Sequence, residues 1–378
     1  MLTVRHWLPA LGLIGPLVGC AERPEEVEAA TSSAGSPRVA LLTIDTWRAD
    51  HFSAEHTPNL WALAEQGQRF TNAWSPIGLT SPAHATMFTG VPPWEHGMEA
   101  NNHHGYRLPA DAQTVAEDYQ AQGWYTAAWV SAWPAGPAGG LDQGFDAFSG
   151  VEAGERAGEE TVAQALAEWV PADQAAFLWI HLYGPRGPYR GDGATDAERY
   201  AEEVRRADAL LKPVLDRLVA EKARIVVASD HGEVLLEERC GRQHERSTHA
   251  VVLRVPLFVW APDRPPSIED RLVGLTEVKA LLQGASVGSL PERTAWVAES
   301  GLCEAGCAPG CRPEGVLGRD RVVIDPAGRW VRRPGRGTFI EGEPEAAHKS
   351  MLDAIPPVRP PGEAPDAASL EALGYQAP

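Results

Sequence analysis

One hydroxyl group, that of Thr80, lies where a loop after a strand is expected to enter a helix. The segment 78–90 reads GLTSPAHATMFTG. Pro82 suits the first turn of a helix, because its fixed φ is helical and its missing N–H needs no partner there. The unpaired N–H groups at a helix start favour an anionic ester. Thr80 is therefore a candidate nucleophile.

A threonine hydroxyl attacks at neutral pH only with a base or a metal beside it. The apolar run RVALLTI at 38–44 ends at Asp45, and the run ARIVVAS at 223–229 ends at Asp230 and His231. Because open α/β sheets carry their sites at the carboxyl ends of strands, we expect these three side chains at one edge. With Thr80 they suit a divalent cation that polarises an ester oxygen and lowers the pKa of the hydroxyl. Taken singly, each acid fits a turn or a cap equally well.

Strand-like and helical runs alternate along residues 38–290. This alternation predicts an α/β fold, with a mostly parallel sheet flanked by helices. After Pro291 the sequence RVVIDPAGRWV at 321–331 predicts a hairpin, so residues 291–378 are expected to form a small C-terminal antiparallel subdomain with a tail. The predicted elements of the main domain are 60–66, 114–122, 126–130, 161–170, 177–182, 200–219 and 225–229.

The N-terminus resembles a bacterial lipoprotein signal. Arg5 precedes an apolar stretch at 7–18, which leads to Cys20. The resemblance implies that residues 1–19 are a signal peptide, that the Cys20 thiol is lipidated and that residues 20–37 form a flexible tether. The alternatives are a plain signal peptide or an anchor helix, although the stretch is short for a membrane span. We therefore expect an exported periplasmic or cell-surface lipoprotein, and Ala21 favours the outer membrane by the same resemblance.

Four further cysteines, Cys240, Cys303, Cys307 and Cys311, are an even number in an oxidising compartment. Two disulfide bonds are the preferred interpretation. The alternative is a zinc site, but the C-x3-C-x3-C spacing lacks the paired C-x2-C pattern of such sites.

The formal net charge of −18 disfavours nucleic acid and anionic membrane surfaces as partners. This charge does not exclude an anionic substrate, because a metal ion and a helix terminus set the local field of a site. A lipid anchor would still attach the chain to a membrane.

From about residue 38 to the C-terminus, the chain resembles the sulfatase branch of the alkaline phosphatase superfamily. The order of several short motifs carries the resemblance. These motifs are IDTWRAD at 44–50, TPNLWALA at 57–64, TSPAH at 80–84, HG at 96–97, HLYGPRGPY at 181–189, DHGE at 230–233, RVPL at 254–257 and LGY at 373–375.

The resemblance implies an alkaline phosphatase-like fold and one divalent metal ion. Asp45, Asp230 and His231 would be its ligands, and Thr80 would bridge the metal and the substrate as the nucleophile. The ion could be Mn, Zn, Ca or Mg. His231 favours Mn or Zn over Ca, because calcium prefers shells made only of oxygen.

The resemblance also assigns residues to the substrate. His84 stands where the family usually has arginine, and it would hold the nucleophile segment and the transferred group. Asn101 and His244 would contact the anionic oxygens or the leaving group. Gly184 and Arg186 replace an acid and a histidine of the family motif. Arg186 can clamp an anion through two N–H groups, or it is simply a solvated loop charge.

Thr80 also departs from the sulfatase pattern. Sulfatases convert a cysteine or serine at this position into formylglycine, and threonine cannot give that aldehyde. Related phosphodiesterases and phosphoryl transferases use threonine directly as a nucleophile. The sequence therefore favours a metal-dependent hydrolase of phosphate, phosphonate or sulfate esters, acting on a small anionic ester or on a sulfated or phosphorylated glycan or lipid. The alternative is a catalytically inactive homologue that binds an anionic glycan or lipid. A phosphoethanolamine-type transferase ranks last, because such enzymes carry several membrane helices.

Overall fold

The computed structural model of the chain describes residues 36–102, 105–235, 244–301, 319–326, 328–333, 337–341 and 346–357. These residues lie in one compact unit, Gly35–Pro378. The predicted signal peptide, most of the predicted tether, Cys20 and the LGY motif lie outside the described residues. So do Cys240, Cys303, Cys307 and Cys311, whose disulfide pairing stays a prediction.

Fourteen strands and nine helices are found in the described part of the chain. The strands are β1 Arg38–Ile44, β2 Gln68–Phe70, β3 Ala73–Trp74, β4 Tyr125–Val130, β5 Ala147–Ser149, β6 Ala176–Leu182, β7 Arg224–Ser229, β8 Leu257–Trp260, β9 Ser267–Glu269, β10 Val273–Gly274, β11 Trp296–Glu299, β12 Arg321–Asp325, β13 Gly328–Arg333 and β14 Gly337–Glu341. The helices are α1 Pro58–Ala64, α2 Thr80–Thr89, α3 Pro93–His96, α4 Val115–Ala121, α5 Gly158–Ala167, α6 Asp196–Ala220, α7 Ala250–Leu253, α8 Val278–Leu282 and α9 Ala346–Ala354.

The central sheet has eight strands in the order β5-β4-β6-β1-β7-β8-β2-β9. All neighbours from β5 to β7 are parallel, as are β2 and β9, whereas β8 is antiparallel to both of its neighbours. The mostly parallel sheet predicted from the sequence is therefore confirmed. Strands β1 and β7 are parallel neighbours in the middle of this sheet, so their carboxyl ends lie side by side.

Both faces of the sheet are covered, which explains why β1 is apolar without alternation. All seven residues of β1 are buried. Val39 and Leu41 belong to the hydrophobic core that includes residues of α2, α4 and α8. Leu42 and Ile44 belong to the core on the opposite face, which includes residues of α1, α5 and α6.

Helix α6 spans 25 residues and buries one apolar stripe against the sheet. Its start is fixed by a capping box, in which Thr195 accepts from the Glu198 N–H and Glu198 accepts from the Thr195 N–H. Pro213 lies exposed within the helix. Among the described residues, no helix is both long enough and apolar enough to cross a membrane.

The predicted C-terminal hairpin is confirmed as β12 and β13, which pair antiparallel within the sheet β11-β12-β13-β14. This sheet packs directly against the loop that precedes α2. Trp296 donates its indole N–H to the Ser75 carbonyl at 3.0 Å, and the Glu299 N–H donates to the Pro76 carbonyl at 2.8 Å. The Trp296 ring fits because Gly274 has no side chain: a Cβ there would lie 2.0 Å from the indole. The boundary at residue 291 stays a prediction.

Candidate active site

The site lies at the carboxyl ends of β1 and β7, where the turn after β1 is hydrogen-bonded to the residue that follows β7. Asp45 directly follows β1, and Asp230 directly follows β7. Thr46 has a φ of 55°, an unusual value for a β-branched residue. This conformation is held because the Thr46 N–H donates to Asp230 Oδ1 at 3.2 Å and its hydroxyl donates to the Pro185 carbonyl at 2.9 Å. The strained turn thereby links both carboxylates.

Three ligand atoms converge without any partner from the protein. Asp45 Oδ1, Asp230 Oδ2 and His231 Nε2 are buried and accept or donate no hydrogen bond. His231 Nε2 lies 3.6 Å from Asp45 Oδ1 and 3.5 Å from Asp230 Oδ2. His231 Nδ1 lies 2.9 Å from the Gly232 carbonyl and donates to it, which leaves the lone pair on Nε2. Orphaned buried atoms are rare in native proteins, so this donor set fits a divalent cation.

The charges of this group favour a cation as well. Burial raises the pKa of Asp45 to about 7, and the neighbouring Asp230 carboxylate adds to the effect. Burial also raises the pKa of Asp230 to about 7. Burial lowers the pKa of His231 to about 4, so its imidazole is neutral at pH 7 and able to act as a ligand. A bound divalent cation would neutralise the two acids that the protein alone leaves uncompensated.

Thr80 is the first residue of α2, and its hydroxyl faces this group. Thr80 Oγ1 lies 3.4 Å from Asp45 Oδ2, and the side chain is 0 % exposed. The next residue is held from two sides: the Ser81 N–H donates to Asn101 Oδ1 at 2.9 Å, and the Ser81 hydroxyl donates to the Pro134 carbonyl at 2.6 Å. Since its oxygen is engaged, the Asn101 amide is left to donate from Nδ2. The structure therefore brings Asn101 to the start of α2, next to Thr80.

His84 is buried in the same helix, and both of its ring nitrogens have protein partners. Its Nδ1 lies 2.8 Å from the Thr80 carbonyl, and its Nε2 lies 3.1 Å from Thr43 Oγ1. The indole N–H of Trp179 donates to the same Thr43 oxygen at 3.0 Å. A consistent chain of donors therefore runs from Trp179 through Thr43 to His84 and ends on Thr80. Burial lowers the pKa of His84 to about 3, so the ring is neutral.

This arrangement revises the expectation for His84. The sequence predicts that His84 holds both the nucleophile segment and the transferred group. Its nitrogens contact Thr80 and Thr43, so neither is available to an anionic oxygen. His84 supports the position of Thr80 and does not replace the positive charge of the family's arginine.

We expect His84→Ala to lower the free energy of unfolding by about 2 kcal/mol, because the buried Thr43 hydroxyl loses its acceptor. Urea unfolding of the variant measures this change. His249→Ala is a matched control, since His249 is half-buried and caps α7 through the Val251 N–H. An equal or smaller loss for His84→Ala than for the control would contradict the supporting role.

Arg186 and His244 lie beside Asp45, Asp230 and His231, the candidate ligands that are called the metal-ligand group below. The Arg186 guanidinium lies 3.5 Å from Glu245 Oε1 and 5.4 Å from the centre of the Tyr183 ring. Its positive charge favours the ionised forms of Asp45 and Asp230. The structure therefore brings Arg186 near the site, as a partly buried cation and not as a freely solvated loop charge.

The His244 ring stacks on His231, with 4.6 Å between the ring centres. His244 Nδ1 lies 2.8 Å from Glu233 Oε1. Burial would lower the pKa of His244, but the Glu233 carboxylate outweighs it and raises the pKa. Burial opposes ionisation of Glu233 as well, yet His244 holds the pKa of that carboxyl below its ordinary value. The pair is thus a buried imidazole oriented by a carboxylate.

A cavity of about 590 Å³ opens beside these residues. Its wall includes Arg186, Tyr189, Arg199, Glu233 and His244. His244 in this wall stacks on His231, and a space of this size suits the part of a substrate that leaves after the bond is cut.

A second group of possible ligands is found among the described residues. Ligand atoms of His84, His181 and Asp230 lie within 4.8 Å of one another. His84 already uses both ring nitrogens, whereas neither nitrogen of the buried His181 has a hydrogen-bond partner. The first group is therefore the better cation site, because all of its ligand atoms are unengaged.

Several residues that organise the site were not singled out from the sequence. Ser229 accepts from the Trp47 N–H at 3.0 Å, and Glu233 orients His244. Ser229 directly precedes the DHGE motif and Glu233 ends it, so their closeness to Asp230 in the sequence could have identified them as site residues. Thr43 and Trp179 gave no such signal, because a residue within a largely apolar strand is ordinarily part of the core.

Residues 37–281 match the profile of the family described as Sulfatase. The chain belongs to the sulfatase family. The prediction of a sulfatase-like chain is thus confirmed at the level of the family.

Relatives of this sulfatase-family chain include proteins that bear different activity names. The chain is 31% identical over 125 residues to the ulvan-active sulfatase of Formosa agariphila, and the match covers 32% of this chain and 24% of that protein. It is 25% identical over 242 residues to human ectonucleotide pyrophosphatase/phosphodiesterase family member 7, covering 56% of this chain and 51% of that protein. The chain therefore matches about half or less of the length of these relatives.

A solved structure with a similar fold is the phosphonate monoester hydrolase of Silicibacter pomeroyi. The TM-score is 0.64 at 17% sequence identity, and the match covers 84% of this chain and 93% of that one. At this identity the likeness concerns the fold, which confirms the alkaline phosphatase-like architecture.

Proposed function

We propose that this sulfatase-family chain is a metal-dependent hydrolase of anionic esters, with Thr80 as the nucleophile. One observation carries the proposal: three unpartnered ligand atoms, of Asp45, Asp230 and His231, meet beside the Thr80 hydroxyl. The hydroxyl also lies at the N-terminus of the ten-residue helix α2, whose N–H groups favour a negatively charged substrate.

The side chains of the site account for both halves of a hydrolysis. A bound divalent cation would neutralise the ester oxygens and lower the pKa of the hydroxyl. As the bond from Thr80 Oγ1 to phosphorus forms, the hydroxyl proton passes to Asp45 Oδ2, which accepts its hydrogen bond at 3.4 Å. The bond from phosphorus to the leaving oxygen breaks, and that oxygen takes a proton from His244 Nε2. Water then attacks the phosphothreonine, gives a proton to His244, and the threonine oxygen recovers its own proton from Asp45.

Phosphate and phosphonate esters are the substrates that Thr80 favours. The Cβ of threonine carries a methyl group, so its oxidation gives a ketone and not the aldehyde on which sulfatases of the usual type depend. A threonine oxygen that attacks phosphorus directly leaves an ester that water is able to hydrolyse. The names of the relatives include both a sulfatase and a phosphodiesterase, and both classes belong in the test.

The test is turnover by the chain without its first 35 residues, loaded in turn with Mn, Zn, Ca or Mg. The substrates are an aryl sulfate, a phosphate monoester, a phosphate diester and a phosphonate monoester. We expect cleavage of a phosphorus ester that depends on the added cation and stops with EDTA. Turnover of the aryl sulfate alone would overturn the preference for phosphorus. A protein that binds these anions but cleaves none of them with any cation would instead be the inactive binding homologue.

The natural substrate is proposed to be a small anionic ester, or a sulfated or phosphorylated glycan or lipid. The mixed lining of the 590 Å³ cavity supports this class, because it offers cationic, anionic and aromatic side chains to a polar leaving group. Nucleic acid is not expected as a partner, because of the net charge of −18.

We also propose that the chain is exported and lipid-anchored through Cys20, by the sequence pattern at 5–20. Cys20→Ser in the full chain is expected to move the protein from the membrane fraction to the soluble fraction after export, because the thiol that carries the lipid is lost. Fractionation with labelled palmitate measures this change. Unchanged membrane association of the variant, without label in either protein, would indicate an anchor helix instead.

A further inference from the structure

Glu233 and His244 form a buried pair that the metal-ligand group does not require. Glu233 is 4 % exposed and His244 is 6 % exposed. Glu233 Oε1 lies 2.8 Å from His244 Nδ1 and also accepts from the Val234 N–H at 3.0 Å. One carboxylate oxygen is therefore tied to both the imidazole and the backbone.

The backbone at His244 packs against the loop that precedes α2, at Gly78. The His244 carbonyl would lie 2.7 Å from a Cβ at Gly78, so only glycine leaves room there. The Glu245 carbonyl accepts from the Gly301 N–H at 2.5 Å. With the backbone held, the direction of the ring depends on two contacts: the stacking on His231 at 4.6 Å and the hydrogen bond to Glu233.

These two contacts decide which nitrogen of His244 is available to a ligand. Stacking fixes the plane of the ring, but it still permits a half-turn about the bond from Cβ to Cγ. That half-turn keeps the plane and exchanges the positions of Nδ1 and Cδ2. Glu233 removes this freedom, because a carboxylate accepts only from a protonated nitrogen and Nδ1 is the one that it meets. Nε2 is then the nitrogen left for a group bound in the cavity that His244 lines with Arg186.

We propose that Glu233 is a positioning residue, which fixes the imidazole of His244 so that Nε2 meets the leaving-group oxygen of the ester. This inference rests on the proposed hydrolase function. It predicts that the loss of Glu233 matters most for substrates whose leaving group is poor, since these depend most on a proton or hydrogen bond at the departing oxygen.

The test compares Glu233→Ala, Glu233→Gln and the wild-type chain on a series of aryl phosphorus esters with leaving groups of rising pKa. Glu233→Ala is expected to lower kcat by about 100-fold for the poorest leaving group and by less than about threefold for the best. Glu233→Gln keeps an oxygen that accepts from Nδ1, so it should recover much of the loss. Glu277→Gln is the matched control: Glu277 is a buried partner of Arg293 near the far end of α2.

A second readout does not need turnover. In protein labelled with nitrogen-15 at histidine, and assigned with His244→Gln, the wild-type His244 should keep its proton on Nδ1 at a pH high enough that Nε2 has lost its own. In Glu233→Ala this nitrogen signal should shift towards a mixture of tautomers. An unchanged signal would overturn the positioning role, and so would an equal loss of kcat across all leaving groups. If Thr80→Ala retained turnover in the same assay, the proposed hydrolase mechanism would fail, while the nitrogen signal would still report on the Glu233 contact.

Discussion

Thr80→Ala is expected to lower turnover by about 10⁴-fold or more, since it removes the atom that forms the covalent bond. The fold should survive, because Thr80 Oγ1 makes only a long contact of 3.4 Å to Asp45. Cation affinity should fall by no more than about tenfold, because Asp45, Asp230 and His231 all remain. Thr80→Ser should retain turnover, since it keeps the hydroxyl at the start of α2.

A threonine in the same helix provides the control for this prediction. Thr86 is also buried, and its hydroxyl donates to the Pro82 carbonyl at 2.9 Å, away from the ligand atoms. Thr86→Ala is expected to cost about 1 kcal/mol of stability and to leave turnover unchanged. Steady-state assays and urea unfolding of both variants separate the two effects. Equal activity of Thr80→Ala and Thr86→Ala would exclude Thr80 as the nucleophile.

Asp45→Asn is expected to abolish cation binding and yet to stabilise the metal-free protein at about pH 8, by roughly 2 kcal/mol. The folded pKa of Asp45 is raised to about 7 by burial and by Asp230. Between about pH 4 and pH 7 the native state therefore binds more protons at this group than the unfolded state does, so stability falls as pH rises through that range. Asparagine carries no charge at any of these pH values and escapes this loss.

The pH dependence of the difference between the two proteins is the measurable quantity. The advantage of Asp45→Asn should be small near pH 4, grow through pH 7 and remain constant above it. Comparing the variant with the wild type cancels the contribution of His84, which changes in the opposite direction and does not depend on the Asp45 charge. A divalent cation at 100 times its Kd should stabilise the wild type by about 2.7 kcal/mol and leave the variant unchanged. A variant that is less stable than the metal-free wild type at about pH 8 would contradict the buried-charge account.

The metal-ligand residues that could be predicted from the sequence are those that directly follow a strand. Asp45, Asp230 and His231 each follow a buried apolar run, and parallel strands bring their carboxyl ends to one edge. Thr80 was placed by the proline two residues later, and α2 does begin at Thr80. Such predictions are possible because a buried apolar run, and the polar residues that follow it, mark where a strand ends.

The parts that the sequence did not predict depend on contacts between distant residues. Thr43 lies in β1 and Trp179 in β6, and the hydrogen bond between them exists only because these strands are adjacent. The bond from Thr43 to His84 likewise needs α2 to pack on β1. The sequence predicts that His84 takes the place of the family's arginine. That prediction did not anticipate that both ring nitrogens of His84 contact other residues of the fold. Side-chain direction inside a packed core is a tertiary property, which no local pattern reports.

The most direct test of the account is an anomalous difference map from crystals of the chain grown with Mn²⁺. We expect a single strong peak at this edge of the sheet, bound by Asp45 Oδ1, Asp230 Oδ2 and His231 Nε2, with the Thr80 hydroxyl beside it. This result would establish that the orphaned atoms form a cation site and that the nucleophile faces it. A peak bound instead by His181, or no peak near Thr80 at saturating Mn²⁺, would contradict the central claim.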